Sequence, residues 1–186
     1  MDRLISIIGP AIPQTLIMVF ASTFIAIVLG LPLGVILTIT RKDGLCQNLK
    51  IYSVLDKIIN ILRSFPFIIL VIVVFPLSRI LVGKAYGTAA MIIPLSISAA
   101  PFVARLMEGY FNQIDKGIIE AAKSVGSTNM QIITRVLIPE AMPMIVNGIT
   151  MTLINVVGYS AMAGAIGGGG LGAVSYTHLR AHETLR

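Results

Sequence analysis

Four stretches of this 186-residue chain are long and apolar enough to cross a bilayer, which limits the fold more than any other feature. A hydrocarbon core of about 30 Å needs about 20 helical residues at about 1.5 Å each. Residues 15–40 meet that without a single charge. The others are about 65–82, with Arg79 near the end, about 88–104, and about 144–165. Lipid offers backbone groups no hydrogen-bond partners, so each stretch is expected to be helical. Composition agrees: 56% of residues are hydrophobic and 12% charged, against about 25% charged in a soluble domain. The expected class is an all-α polytopic membrane protein.

The formal net charge of +6 would fit nucleic acid, but the basic residues sit in short runs between apolar segments. That placement orients membrane helices instead. Arg41, Lys42, Lys50, Lys57 and Arg63 lie between the first two spans, and Arg105, Lys116, Lys123 and Arg135 follow the third. Only Lys84, with Arg79 close by, marks the second loop. The first and third loops are therefore expected in the cytoplasm, with the N-terminus outside. A lone thiol, Cys46, forms no disulfide within the chain. No cleavable signal peptide is evident, because the first apolar stretch is far too long for a signal core.

The spans carry unusual punctuation. Gly30 and Gly34 lie one turn apart and allow close helix approach, by packing within one subunit or at a subunit interface. Pro66, Pro76, Pro94 and Pro101 are expected to kink helices, while Ser96, Ser98, Ala99 and Ala100 make the third span narrow. Residues 175–186 hold both histidines, resemble neither a span nor a periodic element, and read as a scar or truncated tail in residues 174–186.

The loop after the third span, residues 105–143, is the most informative. It contains Glu120-Ala-Ala-Lys-Ser-Val-Gly126, nine residues, then Val136-Leu-Ile-Pro139. Residues 118–125 fit a short helix carrying the small Ala121 and Ala122, ended by Gly126 at positive φ. A second helix over 130–137 is expected to stop before Pro139. Such a helix suits docking into another protein's cleft, where bulk would hold the surfaces apart. It equally fits an amphipathic helix lying on the membrane; residue chemistry alone leaves both open.

The same residues resemble the "EAA" loop of ABC-importer permeases. Glu120, Ala121, Ala122, Gly126 and Pro139 fall in register, with Val136 and Ile138 in place of the usual Ile and Leu. The resemblance runs over about 13–173. Arg63-Ser-Phe-Pro-Phe-Ile-Ile-Leu70, Ala99-Ala-Pro-Phe-Val-Ala-Arg105 and Gly158-Tyr-Ser-Ala-Met-Ala-Gly164 look most like methionine-importer permeases. It implies a type I permease bundle with four of five expected spans present, the chain being truncated after about Ala173. It further implies a homodimer in the bacterial inner membrane, two cytoplasmic ABC ATPase subunits docked on this loop, and an extracytoplasmic substrate-binding lipoprotein. ATP and Mg would then be cofactors of the partner ATPase, with none in this chain. The implied function is ATP-driven import of methionine, its D form included, with another amino acid as the alternative.

On the fourth span Thr152, Asn155, Tyr159 and Met162 follow at helical intervals on one face. Polar groups at membrane depth bond to neighbouring helices or line a water-filled path. As a set ending at Met162 they suit a path lining, and two copies of Met162 could meet as a movable gate. Gly167, Gly169 and Gly172 match a dinucleotide fingerprint, but they follow a span and open no βαβ unit. They fit a turn or a close packing point. No Walker pattern is present, so no ATPase site is expected here. Two rivals remain, a non-transporting channel or scaffold and an intramembrane enzyme. The latter lacks support, since His178 and His182 lie outside the spans and Ser160 has no nearby base. Arg105 and Glu108, three apart, are expected to pair.

Overall fold

The computed structural model describes residues 2–84 and 86–183, and their side chains over 6–84 and 86–177. Every described element is helical: α1 (Asp2–Thr40), α2 (Leu49–Ser64), α3 (Phe67–Val82), α4 (Thr88–Phe111), α5 (Lys116–Ser124), α6 (Asn129–Ile132), α7 (Ile138–Ala163) and α8 (Gly170–Glu183). Two π-helical stretches, Ile133–Leu137 and Gly164–Gly168, follow α6 and α7.

Three tracts are long and apolar enough to span by themselves: Ser6–Thr40, Thr88–Phe111 and Asn129–Gly168. The expected second span is shorter than the sequence implies. Its helix α3 has 16 residues, about 24 Å at 1.5 Å each, because Pro66 sits before it as an extended N-cap (φ −57°, ψ 135°). Together with α2 it satisfies the length and hydropathy of a span, as a bent pair. The third span runs past its expected end at Ala104 to Phe111, because ion pairing satisfies Arg105 and leaves the helix no reason to stop. It also continues through Pro94 and Pro101.

Two further expectations are corrected. The helix near 130–137 does not stop before Pro139. The π-helical stretch carries the chain directly into α7, where Pro139 is the second residue; Ile138 N–H donates to the Ile133 carbonyl, and this wider turn takes the proline ring into a continuing helix. Residues 175–183 are helical as the end of α8; beyond Gly172 there is neither glycine nor proline, and Leu, Arg, Ala and Glu favour helix. Residues 184–186 of that tail and the side chains from His178 onward, both histidines included, lie outside the described residues.

The chain divides into two units, and α1, α4 and α7 each contribute one stretch to both. The first comprises residues up to Ala26, Phe65–Ala99 and those from Thr152 onward; the second comprises Ile27–Ser64 and Ala100–Met151. In the second unit, Gly30 and Gly34 bring α1 against α4. A Cβ on Gly30 would stand 2.6 Å from Val103 Cβ, and one on Gly34 2.5 Å from Met107 Cβ. The glycine pair thus packs helices within one subunit. Leu37, Ile59 and Ala104 form a buried cluster beside it, flanked by Leu33, Tyr52 and Leu55. In the first unit, Ser22 and Ser96 both donate to the Ile92 carbonyl, at 3.4 and 2.6 Å. Such bonds satisfy hydroxyls where no water reaches.

Candidate coupling loop and pathway helix

Helix α5 is built from local signals at both ends. The Asp115 carboxylate accepts from Gly117 N–H at 2.8 Å and caps the start. At the other end Gly126 adopts φ +80°; its N–H donates to the Lys123 carbonyl at 2.9 Å, and Ser127 N–H to that of Ala122 at 3.1 Å. This pair of bonds is a Schellman motif, which needs a left-handed residue where Gly126 stands. The next turn begins with a capping box, in which Thr128 and Gln131 satisfy one another's backbone N–H groups. Three helix ends, both of α5 and the start of α6, are therefore closed without tertiary help.

What α5 presents is more telling. None of its residues is buried. Glu120 and Ala121 are exposed, Ala122 is half-buried, and Val125 and Met130 nearby are 81% and 69% exposed. A cavity of about 110 Å³ between this helix and the end of α1 is lined by Arg41, Asp43, Lys116, Glu120 and Lys123 among others. Pro139 lies apart from these in sequence, in the first turn of α7. Glu120, Ala121, Ala122 and Gly126 thus form one surface element, and Pro139 belongs to the helix that follows it.

Arg105 and Glu108 pair as expected, at 2.6 Å. Their partners on α2 were not anticipated. Arg105 also donates to Asp56 at 2.6 Å and to Asn60 Oδ1 at 2.9 Å, while Tyr52 Oη bonds to Glu108 at 3.2 Å. Burial, and next the Glu108 carboxylate, push the Tyr52 phenol above its ordinary pKa. The signal was legible: Tyr52, Asp56 and Asn60 recur every four residues on one face of α2.

The four residues of α7 share a face but not an environment. Thr152 is fully buried, Asn155 and Tyr159 are half-buried, and Met162 is 49% exposed. Tyr159 stacks on Phe67 with ring centroids 4.7 Å apart and planes 5° from parallel, so α3 sets its orientation. Ile154, Val157 and Met162 leave α7 with an exposed apolar flank.

The glycines after α7 form both a turn and a packing point. Gly167, Gly169 and Gly170 have positive φ, and Ile166 and Gly167 depart from helical angles. A Cβ on Gly164 would collide with Gly172 and Ala173 backbone, which lets the end of α7 meet the start of α8. The first N–H groups of α8 are satisfied from α1: Gly170 N–H donates to Gln14 Oε1 and Leu171 N–H to Thr15 Oγ1, each at 2.9 Å. Among the described residues no three His, Cys, Asp or Glu side chains gather as a metal set.

A family model described as "Binding-protein-dependent transport system inner membrane component" matches residues 30–180. A protein of Pasteurella multocida named as a probable D-methionine transport system permease, MetI, is 49% identical over 176 residues, 95% of this chain and 81% of the relative. The D-methionine transport system permease protein MetI of Escherichia coli K12 is 48% identical over 151 residues, 81% of this chain and 70% of that one. Among solved structures, a chain of the MetNI methionine ABC transporter, inward-facing, superposes with a TM-score of 0.94 at 45% identity, covering 96% of this chain and 82% of that chain. The chain belongs to the family of binding-protein-dependent transport system inner membrane components.

Proposed function

We propose that this chain is the permease subunit of an ATP-driven methionine importer, working as a homodimer in which each copy supplies half of the pathway. The observation that carries this is α5: a doubly capped helix with no buried residue, offering Glu120, Ala121 and Ala122 beside exposed Val125. An apolar flank this exposed on a short amphipathic helix wants a partner, and small side chains let a cleft close around it. Two cytoplasmic ATPase subunits occupy those helices, and a substrate-binding lipoprotein delivers methionine on the other side. The basic loops support a cytoplasmic α5 and an N-terminus outside. ATP-driven closure of the ATPases draws the two α5 helices together and tilts the spans outward; phosphate release restores the inward-facing state. ATP and Mg act on the ATPase. Identity near half to D-methionine permeases favours methionine over another amino acid.

In the pathway, exposed Met162 from two copies meets as an apolar plug. Its unbranched thioether adapts to opening and closing, and Tyr159, held by Phe67, borders it. Purified complex in vesicles tests both parts. Glu120→Lys or Gly126→Asp is expected to leave ATP hydrolysis while lowering uptake per ATP; coupling at the unmutated level would sink the docking assignment. Met162→Ala is expected to raise basal leakage of methionine, and unchanged leakage, uptake and basal hydrolysis would remove the gate.

A further inference from the structure

Helix α2 is divided lengthwise into three sectors. Tyr52, Leu55, Asp56 and Ile59 form the inner one, with Ile59 buried against Leu37 and Ala104. Ile51, Val54, Ile58 and Ile61 form the second, between 46% and 58% exposed; at 100° per residue they share a stripe about 80° wide. Lys50, Ser53, Lys57 and Ser64 form the third, all exposed, and both lysines fall beside the apolar stripe. A surface facing only water would not keep four branched apolar side chains in one stripe.

The charges say what covers the stripe. The one carboxylate of α2, Asp56, is turned inward and committed to Arg105. Among the described residues no ion pair reaches Lys50, Lys57 or Arg63, so every uncommitted charge on α2 is cationic. Lysines bordering an apolar stripe can lay their methylene stems along it and extend the ammonium to a phosphate. After the break at Pro66 the chain enters α3, whose exposed large side chains include Ile72, Val73 and Ile80, with Arg79 the one exposed charge, in its last turn. A helix with apolar and cationic sectors, joined to a helix of that kind, has the composition of an interfacial helix.

We propose that α2 lies in the membrane interface, its isoleucine and valine stripe at the acyl-chain boundary and Lys50 and Lys57 holding the phosphates of anionic lipids. The contacts Arg105–Asp56 and Tyr52–Glu108 tie α2 to α4, the helix that leads into α5. Anionic lipid around α2 therefore fixes the platform against which α5 moves, and coupling depends on membrane charge. The lipid contact stands independently; the dependence of coupling rests on the importer reading above.

Two measurements on the full complex in nanodiscs test this. With Cys46 replaced by Ala, nitroxide labels are placed singly at Ser53, Val54 and Ile58. Labels at Val54 and Ile58 are expected to be more accessible to oxygen than to a water-soluble nickel chelate, and the label at Ser53 the reverse. Val54 and Ile58 labels shielded from both reagents would show that protein covers the stripe, and nickel-accessible ones that water does; either overturns the placement, whatever the chain transports. In the second measurement, uptake per ATP is followed as phosphatidylglycerol replaces phosphatidylcholine. Lys50→Gln and Lys57→Gln are each expected to require about fivefold more phosphatidylglycerol for half-maximal coupling, the contribution of one surface lysine. A lysine variant with the unmutated lipid dependence would overturn the phosphate contact, while labels at the expected depth would leave the interfacial stripe standing.

Discussion

The two units of this chain solve one problem by different chemistry. In the second, α1 meets α4 through Gly30 and Gly34 within unbroken helices, and the Arg105 network joins α4 to α2 by charge. In the first, α7 meets α8 through glycines in a broken helix, and the open N–H groups are satisfied by neutral acceptors, Gln14 and Thr15. The ion pairs keep one side in reach of water: the side chains of Arg105 and Asp56 are each more than a quarter accessible, while Glu108 is buried. Bonds made by Ser22, Ser96 and Thr15 are neutral and short-ranged, as helices in a low-dielectric setting require. The difference teaches that glycine serves two purposes here. In one unit it removes side chains so regular helices can touch; in the other it also allows backbone angles that other residues resist.

That contrast can be broken from either side. The largest effect is expected from Gly34→Leu, since even a Cβ would press on Met107 and the Ala104 carbonyl. Overpacking costs about 1–3 kcal/mol and occasionally more, and here part of the obstacle is backbone, so the variant should fail to yield monodisperse protein or should melt far below the parent. Gly109→Leu, where a Cβ meets nothing within 4 Å, should leave melting nearly unchanged. Next comes Arg105→Met, which strands the buried Glu108 carboxylate at a cost of about 3 kcal/mol; the double variant Arg105→Met with Glu108→Met should recover much of it in thermal unfolding. The smallest effect belongs to the first unit: Thr15→Val and Gln14→Leu each remove one acceptor from the start of α8, about 1 kcal/mol apiece. Hydrogen exchange should quicken at Gly170 and Leu171 and remain unchanged across α5. Equal quickening in both regions would mean that the two units open together.

Much of the loop around α5 was legible because its signals are local. Asp115, Gly126 and Thr128 act within a few residues of their own positions, and the Gly126 conformation follows from having no Cβ. Helix bounds were less legible where the competing signal was tertiary. Arg105 looks like the end of a span until Asp56, 49 residues earlier, is seen to hold it. Pro139 looks like a stop until the wider π-helical turn before it is seen to carry the helix past the ring. The face shared by Thr152, Asn155, Tyr159 and Met162 could be read from spacing, but its gradient from buried to exposed could not, because burial depends on what packs alongside.

Sequence alone therefore determined that this is a helical membrane protein, where its charged loops fall, and that one loop carries the permease signature. Those properties come from apolar length, charge placement and residue spacing, each a sum over near neighbours in the chain. Tertiary structure decided which glycines meet which helix, that Arg105 is shared between two carboxylates, that Phe67 orients Tyr159, and that α1 caps α8 from 156 residues away. These depend on contacts between segments remote in sequence, and no local pattern encodes the partner of a side chain that must cross such a distance to find it.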